Sequence, residues 1–135
     1  MKILCILSLI TAFFTGTVFA NKIGITLDKR NISEYGFKVD IQQKRTGYAV
    51  TIIFPIKNNH HLKIDAAELQ MSDETDEGNN FSIPLKIYQG NDDELLKIYF
   101  FVGLKIIGKS SVRLAGISKE ATLIYFINLK DYIKQ

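Results

Sequence analysis

The sequence predicts an all-β fold: a single-domain antiparallel β-sandwich of the immunoglobulin-like kind with about seven or eight strands, or alternatively a small closed β-barrel. Three observations predict it. Apolar residues recur with a period of two almost throughout, the apolar runs are separated by turn residues at intervals of about 8 to 14 positions, and helix signals are nearly absent.

The domain is expected over residues 21–135, because residues 1–20, MKILCILSLITAFFTGTVFA, have the make-up of a secretory signal. Lys2 precedes an apolar run through Phe14, and Val18 and Ala20 place small residues where a signal peptidase reads them, so cleavage is expected after Ala20. Thr11, Thr15, Gly16 and Thr17 dilute a stretch that barely reaches the ~20 apolar residues of a membrane-spanning helix. The expected location is periplasmic or extracellular, with no stable membrane insertion once the signal is removed. Cys5, the single cysteine of the chain, lies in the removed segment. The mature domain must then rely on its core rather than on a disulfide.

Each strand follows from its alternation. Ile23, Ile25 and Leu27 mark the first, and Tyr35, Phe37, Val39 and Ile41 the second. A turn at KRTG, residues 44–47, leads to Tyr48, Val50, Ile52, Phe54 and Ile56 in the third. The fourth starts with Leu62, Ile64 and Ala66, then changes phase through Ala67 to Leu69 and Met71. A one-residue slip of this kind needs a bulge, expected near Ala66. Phe81, Ile83, Leu85 and Ile87 form a fifth strand, which Pro84 assigns to a sheet edge because it has no N–H to give a ladder. Leu96, Ile98, Phe100 and Val102 form the sixth, Val112 and Leu114 a short seventh, and Leu123, Tyr125, Ile127 and Leu129 the last.

Composition narrows the function. The formal net charge of +3 falls to about +2 without Lys2, too small and too evenly spread to imply nucleic acid. NIS at Asn31 and NFS at Asn80 match the glycosylation acceptor pattern, which matters in a eukaryotic host only. Residues 103–110, GLKIIGKS, satisfy the phosphate-loop pattern letter for letter. That loop needs a following helix whose amides cradle phosphate, whereas SVRLAGI reads as strand, so the match is accidental.

The most site-like string is KNNHHLKID, residues 57–65, which holds both histidines. On a strand His60 and His61 would point to opposite faces, and His61 and Asp65 would be about 13 Å apart, too far to share a metal. If the pair lies in a loop, alternation of loops between the two ends of a sandwich puts it with RNIS, GNDDE and GISKE. Asp92 and Asp93 would then complete a metal or hydrolytic site with His60 and His61, the least favoured reading. The acidic run of Asp73, Glu74, Asp76 and Glu77 lacks the spacing of a helix-loop-helix calcium site and reads as a hydrated turn. No G-x-S-x-G motif and no mature cysteine offer a nucleophile. The sequence argues against an enzyme and calls for no cofactor.

The more informative feature is apolar. Ile53, Tyr99, Phe101, Ile124 and Phe126 stand at outward positions of strands whose inward positions are already apolar. If the third, sixth and last strands are neighbours in one sheet, these five residues share one outer face, an exposed patch of the kind that marks a partner surface. The expected function is a non-enzymatic interaction module acting through a sheet face or an edge strand. Its partner would be another envelope or extracellular protein, or a second copy in a homodimer. The barrel alternative would make the protein a carrier of a small hydrophobic ligand.

KSSVRL, residues 109–114, followed by LIYFINLKD, residues 123–131, resembles the end of the first domain of periplasmic pilus chaperones, which are immunoglobulin-like. The resemblance covers a short part of the chain. It implies a second domain, for which this chain has no room, and a basic pair that grips a subunit carboxylate, for which only Lys29 and Arg30 come forward. The family is not adopted on these residues.

Overall fold

The computed structural model describes residues 21–57, 62–72, 80–117 and 121–134. Its strands are β1 (Asn21–Leu27), β2 (Lys38–Gln43), β3 (Gly47–Pro55), β4 (Ile64–Ser72), β5 (Asn80–Pro84), β6 (Ile87–Gln89), β7 (Leu95–Gly103), β8 (Ser110–Ile117) and β9 (Ala121–Asn128). They build one sheet in the order β1-β9-β8-β4-β5 and a second in the order β2-β3-β7-β6. Both sheets have free edges, so the fold is a sandwich and the barrel reading, with its ligand-lined interior, does not hold. β2, β3, β7 and β6 occupy the places of strands A, B, E and D of an immunoglobulin-like sandwich, and β9, β8, β4 and β5 those of G, F, C and C′.

The alternation read from the sequence is what fills the interior. Val50, Ile52 and Phe54 of β3, Ile98 and Val102 of β7, Val112 and Leu114 of β8, and Leu123, Tyr125 and Ile127 of β9 are all buried in one cluster. Each such side chain contributes roughly 1.5–3 kcal/mol by leaving water. Tyr35 and Phe37 belong to this core but not to β2. The chain over residues 29–36 is a series of turns, and Gly36, at φ +77° beside the Pro55 ring, turns it so that Phe37 enters between the sheets. The Phe37 ring stacks 5.7 Å from Phe54 and lies 4.9 Å from Tyr125.

The bulge is present. β4 pairs Ile64 with Gly116 but Ala66 with Ala115, so Asp65 is the extra residue, and the inward set passes from Ile64 to Ala67 and Leu69. The fifth strand is two strands. β5 pairs with β4, whereas β6 pairs with β7 in the opposite sheet, and the chain crosses between the sheets at Leu85 and Lys86. The last bond to β4 is the Leu85 N–H donated to the Ala67 carbonyl at 2.8 Å. That bond makes the odd positions of β5 the ones bonded to β4, so Pro84 directs its nitrogen outward at a sheet edge, as its chemistry demands.

One pairing is not antiparallel. β1 runs parallel to β9, in register from Asn21 with Ala121 to Leu27 with Ile127. First and last strands are far apart in sequence, so no tight hairpin dictates their direction. The chain therefore leaves β1 from the end opposite to the one that loop alternation assigns to RNIS. Beyond β9 the chain turns into a short 3-10 helix, Leu129–Tyr132, with Leu129 buried rather than extending the strand. The Tyr132 hydroxyl donates to the Leu27 carbonyl at 3.1 Å and ties this end to β1.

Candidate functional site

The outer face of the β2-β3-β7-β6 sheet collects the outward positions of four strands. The register sets Lys38, Ile53, Lys97 and Tyr88 in one row across it, Asp40, Thr51 and Tyr99 in the next, and Gln42, Ala49 and Phe101 in a third. Residues opposite one another in such rows stand about 4.5–5.5 Å apart. Tyr99 is 60% exposed, Phe101 51% and Tyr88 42%. Phe101 is held in place: its ring lies over Gly47, where a β-carbon would come within 2.7 Å of the ring's Cζ. The Lys86 ammonium sits 5.1 Å from the centre of the Tyr88 ring. Lys38 and Lys97 flank Ile53, and neither is ion-paired among the described residues.

Ile53, Tyr99 and Phe101 are thus brought together as expected, on adjacent strands. Ile124 and Phe126 are not. β9 lies in the other sheet, between β1 and β8, so these two residues face the opposite side of the molecule. There the Phe126 ring covers Gly24, 3.3 Å from the position of a β-carbon, and Arg113 is paired with Glu68 at 3.3 Å. Period-two alternation states which way a side chain points relative to its own sheet but not which sheet its strand joins. Tyr88 is the member of the face that the sequence reading missed. Its signal was an aromatic residue out of phase between Ile87 and Gln89, obscured because residues 81–87 read as one strand.

His60 and His61 lie outside the described residues, as does the acidic run from Asp73 to Glu77. The flanks of the histidine segment are described: Lys57 and Lys63 pair across its base, and the Ile56 N–H donates to the Glu94 carbonyl at 3.0 Å. The turn carrying Asp92 and Asp93 therefore sits at the same end of the sandwich. An open depression of about 370 Å³ lies there, lined by Pro55, Ile56, Lys57, Asp93 and Glu94. Asp92 is occupied in shaping the turn, its carboxylate accepting from the Glu94 N–H at 3.1 Å. Among the described residues no three metal-ligating side chains come together.

The phosphate-loop match falls on a turn and a three-residue 3-10 helix, Ile107–Lys109, that lead straight into β8. The Ser110 hydroxyl is buried and donates to the Ile106 carbonyl at 2.8 Å. Arg30, the only described basic residue of its turn in an ion pair, is taken by Asp28 at 2.8 Å. The same guanidinium, together with the Arg30 and Asn31 N–H groups, holds the Asp28 carboxyl below its ordinary range. No family model, curated protein or solved structure matches the chain.

Proposed function

We propose that this protein is an exported, non-enzymatic interaction module that binds another envelope or extracellular protein through the outer face of the β2-β3-β7-β6 sheet. One observation carries the reading. Tyr99 and Phe101 stand more than half exposed on a strand whose inward residues Ile98 and Val102 are buried in the core without them. Two such rings side by side on a rigid sheet are an aggregation liability unless something covers them. Neighbouring lysines with no ion-pair partner among the described residues add a positive border. The make-up of residues 1–20 supports export. No cofactor and no catalytic step form part of this reading.

The test is site-specific photocrosslinking in the native host, with a photoreactive side chain in place of Tyr99 and, as a control, in place of Phe126. The expected result is a discrete adduct from Tyr99 with an envelope protein, lost when Phe101 is also replaced by Ser. An adduct with a second copy would identify a homodimer contact. Adducts from Phe126 alone would move the working surface to the other sheet and refute the proposal.

A further inference from the structure

The two sheets are unequal on one side. β6 pairs with β7 only along Leu96, Lys97 and Ile98, so among the described residues the edge of β7 from Tyr99 to Gly103 has no neighbouring strand in its own sheet. The Gly90 N–H donates to the Leu95 carbonyl, which makes the odd residues of β7 the ones that direct their backbone groups to that edge. Phe101 accordingly points its N–H and C=O at a strand position that no described residue fills.

The opposite wall of that position is also uncovered. Phe81 and Ile83 point inward from β5: they pair with Met71 and Leu69 of β4, and Leu69 is a core residue. Yet Phe81 is 60% exposed and Ile83 47%. Met71 is level with both Phe81 and Ser110, and Ser110 follows Gly103 through the short connection at that end of the sandwich. The uncovered half of β5 thus stands across the interior from the unpaired half of β7. The chain creates this gap itself, because it ran beside β4 as far as Pro84 before crossing to run beside β7.

We infer that this gap is a docking slot for an extended segment of a partner protein, added as a strand to the free half of β7 with apolar side chains at alternate positions. This rests on the reading of the domain as an interaction module and names the form of its partner. The free ladder edge demands a strand, since only an extended backbone can meet a row of unpaired N–H and C=O groups. The spacing of Phe81 and Ile83 demands apolar residues two apart, because successive side chains of a strand point to opposite faces. The chain's internal segments outside the described residues, 58–61, 73–79 and 118–120, contain no apolar residue, so none can supply these side chains. The outward side chains of a docked strand would lie beside Tyr99 and Phe101, making slot and aromatic face one continuous surface.

The experiment is selection of a random peptide display library against the protein expressed from its whole reading frame, followed by amide hydrogen exchange with the selected peptides. The inference expects peptides with alternating apolar residues that slow exchange of the Phe101 amide. Replacing Ile83 by Asp, which leaves the fold's buried residues untouched, should weaken them about tenfold or more. N-methylation of alternate peptide bonds should abolish binding. Peptides that are lost with Tyr99→Ser but indifferent to Ile83→Asp, and that leave the Phe101 amide unprotected, would overturn the slot while sparing the aromatic face. Recovery of no binding peptide would count against both readings. Protection of the Phe101 amide that rises with protein concentration alone would mean a second copy fills the gap, and would overturn a foreign strand.

Discussion

Replacing Phe101 by Ser separates a binding residue from a core residue, and its magnitude can be worked from exposure. Burying a whole phenylalanine side chain is worth about 1.5–3 kcal/mol. Phe101 keeps 51% of its surface in water, so the loss from transfer is about 1 kcal/mol. What it gives up is contact with Gly47 and with Ala49, its cross-strand partner. Phe54 is the internal standard: it is 0% exposed and stacked on Phe37, and its replacement by Ala should cost about 3–5 kcal/mol. Urea unfolding of both variants and the parent chain measures the two costs on one scale. The expected order is a small shift of midpoint for Phe101→Ser, about 4 °C if read as a melting temperature, and a shift several times larger for Phe54→Ala. In binding the order reverses, with Phe101→Ser weakening the partner complex by about 1–3 kcal/mol, as for an aromatic anchor. Should Phe101→Ser cost as much stability as Phe54→Ala, the ring is structural and the argument for a working face fails.

Other expectations rest on single contacts. Tyr132→Phe removes the bond to the Leu27 carbonyl and should cost about 1 kcal/mol in chemical denaturation. Burial, with Asp28 and Asp131 nearby, pushes the Tyr132 hydroxyl from 10.0 up to about 12. Because the folded value is the higher one, this residue's contribution to stability is complete below pH 10.0 and is lost as the pH rises to about 12. The alkaline loss measured by unfolding at stepped pH should shrink in Tyr132→Phe. Gly47→Ala forces a β-carbon against the Val102 carbonyl oxygen and the Phe101 ring, an overpacking expected to cost about 1–3 kcal/mol by calorimetry. Pro84→Thr restores an N–H to the outward edge of β5. It should leave the melting temperature nearly unchanged while increasing self-association in analytical ultracentrifugation relative to the parent chain.

The parts legible in the sequence are those that alternation governs. The buried set of β3, β7, β8 and β9 could be named from period two, and the phase change at Ala66 located the bulge to within a residue. Pro84 identified an edge because a missing donor is a property of the residue itself. Sheet membership was not legible. Ile83, Leu85 and Ile87 keep one parity across the crossing, since the inner faces of both sheets look into the same interior, and so two strands read as one. The same blindness grouped Ile124 and Phe126 with Tyr99. Phe37 failed differently: in a turn its burial depends on Gly36 and on the Pro55 ring beside it, a contact set by tertiary structure rather than by local pattern.

The crossing at Pro84 bears on function through what it withholds. A chain that crossed before residue 80 could have run the whole of this strand beside β7 and covered its edge. This chain instead holds residues 80–84 against β4 and leaves Phe81 and Ile83 about half in water. Half-burial forgoes about 1 kcal/mol at each of these side chains, a noticeable part of the 5–15 kcal/mol by which a small domain is stable. The forgone energy is not lost to the molecule. It stays available to any strand that enters the gap, which would gain the apolar burial and the free backbone bonds of β7 together. The outward-facing nitrogen of Pro84 then has a second consequence. It removes one donor from the outer edge of β5, discouraging a strand from adding there, while the edge of β7 from Tyr99 to Gly103 carries no proline and keeps its donors. Of the two neighbouring edges, the one beside the exposed rings of Tyr99 and Phe101 is the one whose ladder no proline interrupts.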